Sequence, residues 1–134
     1  MHIRAISQVE LHAARELLAA AGWEHRADDL RRFDELVANS QVALVAIEEG
    51  RVVGFVRALT DGISNGYISM LAVAAERRNR GIGSALVRAC MGDNEEMTWV
   101  LRAGRPGLTA FYEKLGFSVS SVAMERPRRA KRVA

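Results

Sequence analysis

The chain has 134 residues, of which 49% are hydrophobic and 26% are charged, so it has the size of one compact domain that can bury a substantial core. No stretch approaches the roughly 18 apolar residues of a membrane helix, and the N-terminus lacks the apolar core of a secretory signal, so we expect a cytoplasmic protein with no membrane partner. A single cysteine, Cys90, excludes an internal disulfide, and no Cys/His cluster has the spacing of a zinc site, so no metal is expected.

The net charge of +3 is concentrated at the C-terminal end. Five of the 19 Lys and Arg residues lie between Arg126 and Arg132, and the rest of the chain is slightly acidic. A nucleic-acid-binding domain would spread basic residues along one face and interleave aromatic residues, which here make up only 6% of the chain. We therefore predict one domain over residues 1–126, a basic, disordered tail over residues 127–134 and no nucleic-acid partner. A protein that acts on nucleic acid through this tail is an alternative.

The N-terminal residues predict a strand followed by a helix. Residues 2–6 read as a short strand, and Ser7 can cap a helix that runs to about Ala21. Glu10, three residues after Ser7, completes a capping box, and Gly22 supplies the C-terminal stop.

A second helix is predicted over residues 28–38, capped by Asp28 or Asp29. Its apolar residues recur at helical spacing, so one face of this helix should belong to the core. These residues are Leu30, Phe33, Leu36 and Val37.

From residue 41 the pattern changes to that of strands. Residues 41–48 and 51–60 are β-branched and apolar, and the turn Glu49-Gly50 joins them as a hairpin. Turn-forming residues at 61–66 lead into a third strand over residues 67–73. We therefore predict three consecutive strands in a meander.

A Gly-rich, basic turn, Arg78-Asn79-Arg80-Gly81-Ile82-Gly83, lies between the third strand of this meander and a helix predicted over about residues 81–91. Such a turn exposes unpaired N–H groups and the positive end of the helix dipole, which together bind a phosphate or pyrophosphate. A dinucleotide fingerprint needs a third glycine or a small residue where Leu86 stands, and a Walker loop needs Gly-Lys-Ser/Thr. Neither is present, so the turn indicates another phosphorylated cofactor.

The remaining elements are a strand over residues 98–102, a helix over 106–115 and a final strand or strand pair over 117–125. Helices and strands thus alternate along much of the chain. This order predicts an α/β or α+β domain with a mixed sheet that is parallel where helices cross over.

Two motifs resemble those of the Gcn5-related N-acetyltransferase (GNAT) family. Arg-x-x-Gly-x-Gly at residues 78–83 resembles the family's acetyl-CoA pyrophosphate loop, and Phe-Tyr-Glu-Lys-Leu-Gly-Phe at 111–117 resembles its C-terminal signature. The two motifs have the expected separation, and the order of elements is that of the family. The resemblance covers residues 1–126 and implies a small bacterial single-domain member with the GNAT acyl-CoA N-acyltransferase fold. That fold is a mixed sheet of about six to seven strands flanked by about four helices.

The resemblance also implies the activity and the cofactor. It implies an N-acetyltransferase that transfers acetyl from acetyl-CoA to a primary amine of a small molecule or peptide by direct attack, with a homodimer as a further expectation. The backbone of Leu71, Ala72 and Val73 would pair with the pantetheine arm. The residues expected to hold the pyrophosphate are Arg78, Asn79, Arg80, Gly81, Ile82, Gly83 and Ser84.

Tyr112 in the second motif is the candidate general acid. The pKa of a phenol, about 10, suits protonation of a thiolate leaving group. The alternative is a packed tyrosine whose hydroxyl is hydrogen-bonded to the backbone.

The sequence departs from the family where a general base is usual. Many members carry a glutamate on the strand before the pyrophosphate loop, but this strand reads Ser69-Met70. Asp61 is the best candidate carboxylate, with Arg57 four residues before it on the same side of an alternating strand and able to contact the substrate. The alternative is that Asp61-Gly62 is simply a turn and Arg57 a solvent-facing residue.

The missing glutamate also leaves open an acyl-CoA-binding module with little turnover. The family often has Asn where Arg105 stands, so a contact to the cofactor arm is in doubt.

Trp23 lies between the first two helices, where the family builds its acceptor pocket. It could form a lid or wall for the amine, or it could simply pack the helices together. No motif in this region names the acceptor.

Overall fold

The computed structural model describes residues 1–129, except for the side chains of Glu24 and His25. Residues 130–134 of the predicted tail lie outside the described residues. The chain divides into two compact units, the first Met1–Arg102 and the second beginning at Ala103.

The first unit is built on a mixed sheet of five strands in the order β1-β2-β3-β4-β5. The first four strands pair antiparallel with their neighbours, whereas β5 pairs parallel with β4, as predicted for a strand reached through a helical crossover. The turn Glu49-Gly50 has positive φ at both residues, 51° and 74°, which confirms the predicted hairpin. The strands are β1 His2–Ala5, β2 Val42–Glu48, β3 Arg51–Thr60, β4 Asn65–Val73 and β5 Thr98–Leu101.

Four α-helices accompany this sheet in the first unit. They are α1 Leu11–Ala20, α2 Ala27–Arg31, α3 Phe33–Ala38 and α4 Ile82–Met91. Short 3₁₀ turns lie at Gln8–Glu10, Trp23–Arg26 and Ala75–Arg77. None of the helices in the described residues is long and apolar enough to cross a membrane.

The predicted helix over residues 28–38 is interrupted at Arg32, where φ is −105° and ψ is 22°. Leu30 before the interruption and Phe33 after it are both buried in one apolar cluster. A continuous helix would bury both side chains as well, so their burial does not explain the break at Arg32.

Helices cover β3 on both faces. On one face Phe55 packs edge-on against Phe33, with ring centroids 5.3 Å apart, in a cluster that includes Leu18 of α1. On the other face α4 lies so close to Gly54 that a Cβ there would come within 2.7 Å of Leu86 Cδ1. Residues 53–58 are consequently all buried.

The second unit contains α5, Leu108–Glu113, which is shorter than the predicted helix over residues 106–115. The prediction of a strand over residues 117–125 is wrong, because these residues form no regular element. Val119, Val122 and Met124 are 82%, 87% and 98% exposed, so no apolar burial offsets the entropy cost of ordering a strand. The described residues thus form five strands rather than six to seven.

Candidate functional site

The Gly-rich loop, residues 78–84, connects the turn after β4 to the first residues of α4. Asn79 and Gly81 have left-handed backbones, with φ of 64° and 81°. A Cβ on Gly81 would meet nothing within 4 Å. A side chain would therefore fit at position 81, but the left-handed backbone that precedes the helix favours glycine there.

The first turn of α4 presents N–H groups that have no partner among the residues that the structure describes. The first backbone N–H of this region with an acceptor belongs to Ala85, which donates to the Gly81 carbonyl at 3.0 Å. No side chain caps the helix, and no hydrogen bond among the described residues uses the N–H groups of residues 80–84. A run of free donors at the positive end of a ten-residue helix fits a pyrophosphate.

The part of β4 that leads to this loop is paired with β3 on one side and with no strand on the other. Pairing with β5 covers residues 65–68 of β4 and ends where Ile68 faces Leu101. Among the described residues no strand pairs with Ser69–Val73 on the side where β5 lies, so this stretch, the free edge of β4, keeps the backbone groups of that side available for a ligand. Leu71, Ala72 and Val73, the residues expected to pair with the pantetheine arm, lie on it.

Arg78 is held against the end of the free edge. Its Nε donates to the carbonyl of Val73 at 3.4 Å. Both residues line a cavity of about 660 Å³ that extends along α1. They therefore border open space and not packed core.

Arg57 is buried, which excludes the alternative of a solvent-facing residue. Its Nε donates to the hydroxyl of Ser40 at 2.7 Å, and its Nη1 donates to the hydroxyl of Ser69 at 2.8 Å. A β-bulge makes the second contact possible, since the register with β3 skips Ser69 between Met70 and Ile68. Burial lowers the pKa of the Arg57 guanidinium, and the nearby charge of Asp29 partly opposes that effect.

Asp61 is exposed and is surrounded by donors of its own loop. Its carboxylate accepts hydrogen bonds from the N–H groups of Ile63, Ser64 and Asn65 at 2.8 to 3.1 Å and from the Ser64 hydroxyl at 2.6 Å. These bonds, led by the Ser64 hydroxyl, lower the pKa of Asp61 well below its usual range. The contacts favour the turn role over the base role, and no contact of the described residues joins Asp61 to Arg57.

Trp23 is half-buried and packs against the apolar cluster beneath α1. It begins the 3₁₀ turn between α1 and α2. This packing favours the core role, although part of the ring remains exposed.

Tyr112 lies in α5 of the second unit, between the rings of Phe111 and Phe117, whose centroids are 4.9 and 5.7 Å away. Burial raises the pKa of its phenol, and the charge of Arg105 partly offsets this. Within the described part of the chain the Tyr112 hydroxyl makes no hydrogen bond, and the one fully buried side-chain polar atom without a partner there is Nε1 of Trp99. The Tyr112 hydroxyl therefore reaches solvent, contrary to the alternative of a hydroxyl bonded to backbone.

Sequence reasoning missed Ser40 and Ser69 as partners of Arg57. In the sequence, Ser69 stands only where a carboxylate is missing, and the bulge that turns it toward Arg57 has no local sequence signal.

Among the described residues no group of three or more His, Cys, Asp or Glu side chains could hold a metal ion.

A family model described as an acetyltransferase (GNAT) domain matches residues 39–119. This match spans more than half of the chain, which therefore belongs to the GNAT acetyltransferase family. A search of curated proteins gives no match.

Solved structures agree with this assignment. An acetyltransferase of the GNAT family from Streptococcus pneumoniae TIGR4 has a TM-score of 0.76 and 24% identity over 96% of this chain and 97% of its own, which supports the fold. A Deinococcus radiodurans R1 protein assigned as an acetyltransferase is 31% identical over 72% of this chain and 68% of its own, with a TM-score of 0.59. An aminoglycoside 6'-N-acetyltransferase, solved with coenzyme A, is 26% identical over 65% of this chain and 51% of its own, with a TM-score of 0.56.

Proposed function

We propose that this protein is an N-acetyltransferase that transfers acetyl from acetyl-CoA to a primary amine. One observation carries the proposal: the free N–H groups of residues 80–84 follow the free edge of β4, and Arg78 between them contacts the Val73 carbonyl at the end of that edge. Such a loop can bind a pyrophosphate, and such an edge can pair with an arm that contains amides. A ligand that carries both parts can therefore bind both elements at once.

The residues of the Gly-rich loop would hold the cofactor by charge and by backbone donors. Arg78 and Arg80 add positive charge beside the N–H groups of residues 80–84. Coenzyme A in the aminoglycoside acetyltransferase supports this choice of cofactor. The backbone of Leu71, Ala72 and Val73 would donate to and accept from the arm along the free edge.

Bound acetyl-CoA would supply an activated acetyl group. A backbone N–H of Leu71 or Ala72 would donate to the thioester carbonyl oxygen, which gains negative charge as the amine attacks. Tyr112 would donate its phenolic proton to the departing sulfur, since no described residue competes for its hydroxyl.

We assign loss of the amine proton to solvent and not to Asp61 or Ser69. Asp61 has a lowered pKa and accepts four hydrogen bonds within its own turn, so it holds a proton poorly. The Ser69 hydroxyl already accepts from Arg57. A water molecule that removes the proton needs neither group.

Two measurements test the proposal in sequence. Acetyl-CoA at 100 times its dissociation constant should stabilise the protein by about 2.7 kcal/mol, which a thermal shift detects. A panel of small amines, peptides and one aminoglycoside should then show amine-dependent release of free thiol. Absence of a thermal shift would refute the cofactor assignment, and a shift without thiol release for any amine would indicate a binding module instead.

A further inference from the structure

Arg57 is 8% exposed, yet it forms no ion pair with a carboxylate among the described residues. Its two hydrogen bonds go to the neutral hydroxyls of Ser40 and Ser69. None of the ion pairs among the described residues includes it. The carboxylate whose charge acts on it most, Asp29, pairs with Arg26 at 3.1 Å. Buried arginines are normally paired, so this arrangement calls for an explanation.

The Arg57 guanidinium has N–H donors that no hydrogen bond uses. Arginine carries five N–H donors, and the two hydrogen bonds leave three of them unused. Among the described residues Nη2 has no hydrogen-bond partner, yet it is not one of the fully buried atoms that lack a partner, so it reaches solvent. The side chain is thus fixed by two serines and presents one amino group outward, in the manner of an anion receptor.

This receptor is separate from the Gly-rich loop. Ser69 begins the free edge of β4 and Val73 ends it, so the two residues are about 13 Å apart at the usual rise of a strand. We therefore treat the anion at Arg57 as distinct from the pyrophosphate assigned to residues 80–84. An anion bound here would belong to the other reactant.

We propose that Arg57 binds a carboxylate carried by the amine acceptor, so that the substrates are amino acids or similar amino-carboxylates. This proposal rests on the proposed function, because it assigns the class of the amine. A planar carboxylate suits the remaining donors of the guanidinium, and the bulge at Ser69 holds the guanidinium in place at the start of the free edge.

The test compares matched amines that differ only in the carboxylate: phenylalanine with phenethylamine, and lysine with cadaverine. Wild type should prefer the carboxylated member of at least one pair by about tenfold or more in kcat/KM. Arg57→Gln should remove that preference, and Arg57→Lys should retain part of it. Arg51→Gln on the same strand is the matched control, because Arg51 is exposed and its contact with Glu76 spans 3.9 Å.

A binding measurement keeps the test independent of turnover. In the presence of CoA, the ¹⁵Nε signal of Arg57, assigned by its loss in Arg57→Gln, should move when a carboxylated amine is added and not when its decarboxylated partner is added. Arg57→Gln and wild type should show the same thermal shift with acetyl-CoA.

The outcomes separate this inference from the function on which it rests. The inference is overturned if wild type shows no preference for carboxylated amines and its Arg57 signal does not move, while acetyl-CoA still binds. It is also overturned if Arg57→Gln lowers kcat/KM equally for both members of a pair, as a purely structural tie between Ser40 and Ser69 would require. Failure of acetyl-CoA to bind wild type would instead refute the proposed function.

Discussion

The indole ring of Trp99 lies directly against Gly66, its partner across the parallel pair of β4 and β5. A Cβ at position 66 would come within 2.3 Å of Trp99 Cζ3, so only glycine fits there without movement of the ring. This contact lies in the first half of β4, two residues before the pairing with β5 ends at Ile68 and the free edge begins.

Gly66→Ala should lower the free energy of unfolding by roughly 1–3 kcal/mol, because the new methyl group must displace the ring. Denaturant unfolding measures the loss. Gly104→Ala, where a Cβ would meet nothing within 4 Å, should stay within about 0.5 kcal/mol of wild type. Adding Trp99→Leu to Gly66→Ala should recover part of the loss. Purely additive effects in this double-mutant cycle would show that the ring contact does not constrain position 66.

Gly81→Ala should weaken acetyl-CoA binding about tenfold, the effect of losing roughly one charge-assisted hydrogen bond. The substitution forces a non-glycine residue into a backbone with φ of 81° and displaces the N–H groups of the loop. Calorimetric titration gives the affinity. Gly50→Ala is the matched control, with φ of 74° and equally open space, and it should lose similar stability but no affinity. Equal affinities for the two variants would contradict the placement of the pyrophosphate.

Tyr112→Phe should reduce kcat by more than about tenfold and leave the affinity for acetyl-CoA nearly unchanged. Burial raises the pKa of Tyr112 above its ordinary value of about 10, so the phenol is protonated at neutral pH. In wild type, deprotonation of this acid should therefore reduce activity at a higher pH than it would for an unburied phenol. Turnover by the variant equal to that of wild type across pH would remove Tyr112 from the role of acid.

Asp61→Asn should leave kcat/KM close to that of wild type while lowering the melting temperature, because an amide accepts the hydrogen bonds of the turn less well than a carboxylate. Asp61→Ala should lower the melting temperature further. Since folding lowers the pKa of Asp61, its contribution to stability is present above the usual carboxyl range and is lost on acidification below it. A large loss of activity in Asp61→Asn that worsens at low pH would restore Asp61 as the base.

Glu10 should make the first unit sensitive to acid. Its carboxylate pairs with Arg4 and accepts the N–H of Ser7 at 2.9 Å, and these contacts, Arg4 foremost, lower its pKa from about 4.5 to about 2. A lowered carboxyl pKa stabilises the fold above about pH 4.5, and that stability is lost as the pH falls toward 2.

Glu10→Gln should therefore cost about 1 kcal/mol at pH 7 and flatten the dependence of stability on pH in the acid range, as measured by urea unfolding. Glu16→Gln, exposed on α1, controls for the loss of one negative charge. An unchanged acid slope in Glu10→Gln would place the acid sensitivity elsewhere.

The sequence predicted the features that depend on local chemistry. The Glu49-Gly50 turn, the strand meander and the glycine that begins α4 each follow from residues a few positions apart. Features that depend on distant packing were not predicted. The break of the helix at Arg32 has no signal in the sequence, and residues 117–125 form no strand, with Val119, Val122 and Met124 exposed.

In the candidate site, too, the residues in local motifs could be predicted and those placed by distant packing could not. The Gly-rich loop and Tyr112 could be found because motifs carry them. The environment of Arg57 could not, because Ser40 lies 17 residues away in sequence and Ser69 reaches the guanidinium only through a change of register between two strands. Asp61 remained ambiguous because an Asp-Gly pair reads alike as a turn and as a candidate base.

The length of the free edge of β4 limits the kind of acyl donor that the protein could use. If the loop binds one end of the donor and Arg57 holds the acceptor, the number of residues from Ser69 to Val73 sets the length that the donor's arm must span. An acyl phosphate has no such arm, so its anion could occupy the loop while its carbonyl carbon remained far from the amine. The donor would then be selected by its length, through a stretch of backbone whose side chains need not contact the acyl group.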